Sequence, residues 1–256
     1  MSSTAPSKRE RPTNSLPTGK GLLDWLKPVL ASTVGGKFLV ALTGLALTGF
    51  VIAHMAGNLQ IFLGPDAINE YAKKLKDLGP LLWFMRIGLL AVFVIHITLA
   101  VRLNLRSTAA RPIAYAHPQT VQATFASRTM VYSGLLILAF TIFHLAHYTF
   151  GALPFTDTDG VSKSVFDLKD RLGRHDVYRM MILGFSNPIY AGLYIVAQLF
   201  LMLHLSHAVA SIFQTLGLNT PRTQSMWKCF GWGITLLVGG GNIAIVLAVW
   251  LGMLPN

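Results

Sequence analysis

The sequence predicts an all-α membrane protein with five transmembrane helices, the first four forming a four-helix bundle. Three observations carry this. Of 256 residues, 53% are hydrophobic and 12% charged, whereas a soluble domain is roughly a quarter charged. Mean hydropathy is +0.54. The charges also fall between apolar blocks, each long enough for the ~20 residues that cross a bilayer core of about 30 Å. A net charge of +11 on a solvated patterned surface would suggest nucleic acid, but here the basic residues flank apolar runs and that class is excluded. The single cysteine, Cys229, permits no internal disulfide, no thiolate cluster and no C-x-x-C-H motif.

The chain divides into residues 1–32 and 33–256. Residues 1–20, rich in Ser, Pro, Thr and basic groups, bury too little apolar area to fold and form a disordered arm. Leu22, Leu23, Trp25 and Leu26, before Pro28, suggest a short interfacial helix. The first apolar stretch starts too late, runs too long and lacks an Ala-x-Ala exit, so it reads as a retained span over 36–58 rather than a cleaved signal. Between Asp66 and Gly79, Ile68, Tyr71, Leu75 and Leu78 share one helical stripe, the pattern of a short helix lying along the interface. The second span, 80–102, contains one charge, Arg86. The third and fourth are 129–150 and 188–212. In the fifth, 229–252, Gly231, Gly233 and Gly239-Gly240-Gly241-Asn242 suggest a packing face. No internal repeat is evident, and Gly35-Gly36-Lys37-Phe38 lacks the flanking residues of a phosphate loop.

An odd number of spans puts the termini on opposite sides. Lys8, Arg9, Arg11, Lys20, Lys27 and Lys37 precede the first span, and Arg102, Arg106, Arg111 and Arg128 bracket the second connection. In the first connection, basic residues are matched by Asp66, Glu70 and Asp77. The third has Asp157, Asp159, Asp167, Asp170 and Asp176. The positive-inside rule therefore puts the N-terminus in the cytoplasm and the C-terminus outside, in a multi-pass inner-membrane protein.

Six of the eight histidines lie in apolar spans: His54, His96, His144, His147, His204 and His207. His54 is 17 residues past Lys37, and His96, His144 and His204 are each 16 past Pro80, Arg128 and Pro188. At ~1.5 Å per residue this is about 24 Å into the core. Successive spans run in opposite directions, so His54 and His144 share an outer depth and His96 and His204 an inner one. Two histidine pairs facing across a bundle are the axial ligands of two haem irons, and a haem with both axial sites filled transfers electrons. Members of His144/His147 and His204/His207 share a helix face, so spacing leaves the choice open, while equal depth favours His144 and His204. Gly44, Gly49, Gly134 and Gly192 suit closely approaching helices.

The segments Gly49-Phe-Val-Ile-Ala-His54-Met-Ala-Gly-Asn58, Phe93-Val-Ile-His96-Ile-Thr-Leu-Ala, Phe143-His144-Leu-Ala-His147 and Leu203-His204-Leu-Ser-His-Ala-Val-Ala-Ser211, continuing to Asn219-Thr-Pro-Arg222, resemble the single-chain, five-helix, di-haem cytochrome b anchor of succinate dehydrogenases and fumarate reductases. The resemblance covers roughly 33–250. It implies that His54 and His144 ligate a distal haem b (protohaem IX) and His96 and His204 a proximal one. It further implies electron transfer between flavoprotein and iron-sulfur partner subunits and a membrane quinone, menaquinone or ubiquinone, as in the respiratory chain and the tricarboxylic acid cycle. Dicarboxylate chemistry would belong to the partners. Some fumarate reductases of the family carry a glutamate two residues before the fourth-span ligand; here that position is Met202, and no Asp or Glu lies inside any span, which puts a transmembrane proton path in doubt. Asn58, Gln60, Glu70 and Tyr71, beyond the distal histidine, are candidates for quinone oxygens. Arg86, Lys37, Arg102, Arg128 and Arg179 are candidates for the propionates, with Arg86 favoured as the charge inside a span.

The alternatives are a non-haem metal enzyme or transporter using the two H-x-x-H pairs, and a structural anchor without redox activity. A quinol-oxidising b cytochrome with two widely spaced histidines on each of two helices is excluded, because no span has two histidines more than three apart.

Overall fold

The computed structural model describes residue 28 and residues 32–110, 123–153, 155–156 and 162–255. The basic arm, the segment Leu22–Leu26, Arg111, His117, Asp157 and Asp159 lie outside the described residues. The described chain is almost entirely helical: α1 (Thr33–Asn58, extended by a 3₁₀ turn to Leu63), α2 (Pro65–Asp77), α3 (Pro80–Ala109), α4 (Phe125–Arg128), α5 (Met130–His144), α6 (Val177–Ser186), α7 (Pro188–Thr215) and α8 (Gln224–Trp250). A two-residue antiparallel ladder, Phe155–Thr156 with Ser162–Lys163, lies in the α5–α6 connection.

Five helices, α1, α3, α5, α7 and α8, are long and apolar enough to cross a membrane. Their starts follow local chemistry. Ser32 caps α1 by accepting from the Gly35 N–H at 2.9 Å. Pro80 and Pro188 open α3 and α7, where the missing N–H costs nothing. α2 sits between two glycine turns, Gly64 at φ 97° and Gly79 at φ 54°, backbone angles that a side chain would strain.

α1, α3, α5 and α7 form a square in which α1 packs on α3, α3 on α5, α5 on α7 and α7 on α1, while α8 lies outside against α7 and α1. α8 approaches closely through glycine. Gly239 receives Met202 of α7, and a Cβ at Gly241 would stand 2.7 Å from the Met55 sulfur of α1. By contrast α3 has no buried residue. Phe84 and Ile87 on it are 76% and 64% exposed, the outward apolar surface that lipid covers.

One end of the bundle carries a cap built from the 3₁₀ turn, α2, the α5–α6 connection and α6. Sequence reading expected the interfacial helix α2 but took the segment before 188 as connection, and so missed α6. At 10 residues α6 is too short to cross a membrane. It ends because Asn187 turns the chain and caps α7, accepting from Ile189 N–H at 2.9 Å. Its apolar face buries Met181, Ile182 and Phe185 against Ile61, Ile68 and Tyr194. Asn69, 1% exposed, pins α2 to it. Its amide donates to Asp176 Oδ1 at 3.1 Å and Asp170 Oδ2 at 3.4 Å and accepts from the Tyr178 N–H at 3.0 Å. Asn69→Leu leaves the buried Tyr178 N–H without its acceptor and removes both donations to the carboxylates; it should cost about 1–3 kcal/mol, read as a lowered melting temperature of the purified chain.

Candidate functional site: two tiers of histidines

The square sets the histidines on its diagonals. His54 on α1 faces His144 on α5, with ring centroids 5.8 Å apart and planes at 85°. His96 on α3 and His204 on α7 form the second level, His96 held from α1 and His204 from α5. Neither α1 with α5 nor α3 with α7 is a principal packing pair, so these histidines lie between helices that share few backbone contacts.

The lower pair is held by two matching cradles. On α1, Thr43 Oγ1 lies 3.0 Å from His96 Nδ1, Val40 supplies a carbonyl, and a Cβ at Gly44 would stand 3.2 Å from His96 Cε1. On α5, Ser133 Oγ lies 3.2 Å from His204 Nδ1, Met130 supplies the carbonyl, and a Cβ at Gly134 would stand 3.6 Å from His204 Cε1. Both hydroxyls spend their own proton on helix carbonyls: Thr43 donates to Leu39 O at 2.7 Å and Ser133 to Met130 O at 3.0 Å. They therefore accept from the rings. Each imidazole carries its proton on Nδ1 and keeps a lone pair on Nε2, the tautomer of a metal-ligating histidine with a fixed second shell.

The upper pair shares Tyr194 of α7, which is 5% exposed. Its hydroxyl lies 3.1 Å from His144 Nδ1 and 3.1 Å from His147 Nδ1. A hydroxyl has one proton, so it donates to one ring and accepts from the other. A π-helical turn at Leu145–Thr149 brings both rings to it. That turn also separates their surroundings. His147 is 0% exposed and packs on Tyr148, Tyr190 and Phe155 with centroids 4.2, 4.7 and 5.0 Å away, whereas half-buried His144 faces His54. His207 lies one turn past His204 and meets Ser211 Oγ at 2.9 Å through Nε2.

The tiers are evenly spaced. Gly44 to His54 on α1, Gly134 to His144 on α5 and Tyr194 to His204 on α7 are each ten residues, about 15 Å of helix. The donor set suits bis-imidazole ligation: the upper rings face each other, and the lower rings use Nδ1 for their hydroxyl partners, leaving Nε2 for iron. Of the glycines read as sites of close approach, Gly44 and Gly134 touch the imidazoles, and Gly49 and Gly192 have nothing within 4 Å. Among the described residues, no three His, Cys, Asp or Glu side chains gather as ligands for a bare metal ion, so the H-x-x-H alternative gains no cluster.

Beyond His54 the chain enters the cap. Asn58 Nδ2 lies 3.2 Å from His54 Nε2. Gln60, Glu70 and Tyr71 line one cavity of about 460 Å³ with Asp66, Lys74 and Arg174. Its inner wall reaches α1 because Gly57 has no side chain: a Cβ there would stand 2.8 Å from the Tyr71 hydroxyl. Arg174 pairs with Asp66 and Asp170 at 2.6 Å and with Glu70 at 3.3 Å. Arg86 is elsewhere. Its guanidinium lies 5.2 Å from the Trp83 ring centroid on the exposed side of α3, beside Lys76, and its described contacts include no histidine.

Two titrations govern the cap. Burial, then the cations Lys76 and Lys169, hold His175 below the usual histidine value. Burial works to raise Asp170, but hydrogen bonds from Arg174 and the Leu172 N–H outweigh it and hold the carboxyl below the usual range. Unfolded chain thus binds protons that the folded cap refuses, so stability is lost as pH falls, first below about 6.5 and then below about 4. Protection factors over α2 and α6, which are exchange rates corrected for the intrinsic pH dependence of amide exchange, should fall from pH 7 to 5, and His175→Gln should remove that upper step.

No family profile, curated protein or solved structure matches this chain. Its five apolar helices define a multi-pass helical membrane protein.

Proposed function

We propose that this chain is the membrane-anchor cytochrome b subunit of a succinate:quinone oxidoreductase. The observation that carries the reading is His54 facing His144 across the bundle, together with the matching hydroxyl-and-glycine cradles around His96 and His204. Two haems b, when bound, supply one-electron transfer between an iron-sulfur partner subunit and a membrane quinone. The chain's own residues supply the ligands and their orientation. Thr43 and Ser133 fix the lower rings and Tyr194 the upper His144, while the glycines at 44 and 134 leave room beside the imidazoles. The cavity of about 460 Å³ lined by Gln60, Glu70 and Tyr71 is our choice for the quinone head. It lies within the size range of small-molecule sites, and Tyr71 meets α1 only three residues past His54. The flavoprotein carries the dicarboxylate site, and the cytoplasmic end of the bundle, opposite the cap, docks the iron-sulfur subunit.

Reduced-minus-oxidised spectra of the purified chain with haem extraction test this. Two b haems per polypeptide are expected. A folded chain that holds none overturns the reading.

A further inference from the structure

The side of the cap next to α3 holds a second cavity, of about 270 Å³, lined by Lys76, Lys169, His175 and Leu172, with Lys73 and Asp77 at its rim. Its carboxylates are already engaged. Asp77 pairs with Lys73 at 2.6 Å, and Asp170 with Arg174. Lys76 and Lys169 have no carboxylate partner among the described residues. Lys76 is held below the ordinary lysine value by burial and then by the nearby cations Lys169 and Arg86. Lys76 and Lys169 thus share one cavity wall without a carboxylate partner of their own, a cost that an anion from outside would relieve.

The position of this cluster says what kind of anion. Arg86 lies in the second turn of the membrane-crossing helix α3 and leans on Trp83, an aromatic residue typical of the headgroup level. Next to them Phe84 and Ile87 are 76% and 64% exposed, and Leu172 at the cavity is 72% exposed. A basic pocket at the headgroup level with bare apolar helix beside it matches a lipid phosphate with its acyl chains.

We propose that Lys76, Lys169 and Arg86 bind the phosphate headgroup of an anionic phospholipid, whose acyl chains lie along α3. This is independent of the haem reading. Full-length chain in neutral detergent, supplied with dioleoylphosphatidylglycerol or dioleoylphosphatidylcholine, should retain the anionic lipid in native mass spectra and melt at a higher temperature with it. K76Q/K169Q should retain it about 30-fold less well, at the strength expected for two lysines near a lipid surface. K76R/K169R should retain it, and K74Q, on the neighbouring cavity, should match the parent. Equal retention by K76Q/K169Q, or equal stabilisation by the zwitterionic lipid, would overturn the proposal. So would stabilisation of the same size by millimolar inorganic phosphate alone, which would make the pocket a site for a free anion.

Discussion

His54→Ala and His144→Ala should each halve the haem content, from two per chain to one, and both should remove the same component of the reduced spectrum. On the di-haem reading, losing either imidazole would remove one of the two residues that hold that haem. Both variants are expected to affect the same haem because the two rings face each other, with centroids 5.8 Å apart across the diagonal of the square. His96→Ala and His204→Ala should remove the complementary component. His147→Ala should keep both haems, although its fully buried ring makes the variant less stable. Loss of different components on mutating His54 and His144 would refute the diagonal pairing.

Thr43→Val and Ser133→Ala should weaken retention of the lower haem by about 10–100-fold, the usual consequence of losing a second-shell partner to a metal-bound histidine. Each hydroxyl accepts from an Nδ1–H, at 3.0 Å for His96 and 3.2 Å for His204. Without that acceptor the imidazole is a poorer donor to iron and is free to turn. The midpoint potential of the lower haem should therefore rise, while the upper haem keeps its own. Thr141→Val is the control, because that hydroxyl bonds to its own helix at Ile137 O, 2.8 Å away. A potentiometric titration that shifts both haems equally would argue for general loosening of the bundle instead.

The spans were legible because lipid imposes a length and a composition that charge positions mark directly. The two-tier depth of the histidines was legible for the same reason: helix rise is fixed, so equal distance from opposite edges must give two levels. The cradles were not. Thr43 stands eleven residues before His54 and Ser133 eleven before His144, each followed by a glycine, a short recurrence that is visible only once the hydroxyl and the glycine have a purpose. Tyr194 gave no signal beyond lying ten residues before His204. Arg86, favoured as a propionate partner because it is a charge inside a span, sits instead with Trp83 and Lys76. Near a helix end a long side chain reaches the interface and meets its partners there.

By itself the sequence determined five apolar helices, their boundaries to within a few residues at most ends, and the place of each histidine along its helix. These depend on local quantities, namely hydropathy, rise per residue and the residues that start or stop a helix. Only the tertiary structure decided which histidines face each other, because rotation of a helix about its axis is set by its neighbours. It also gives His144 and His147 different surroundings. They lie three residues apart, and the π-helical turn and the packing of Tyr148, Tyr190 and Phe155 bury one ring and leave the other facing the interior. The cap was decided in the same way. Asn69, Asp170, Arg174 and Asp176 are distant in the chain, and only the fold of α2 against α6 brings their hydrogen bonds together.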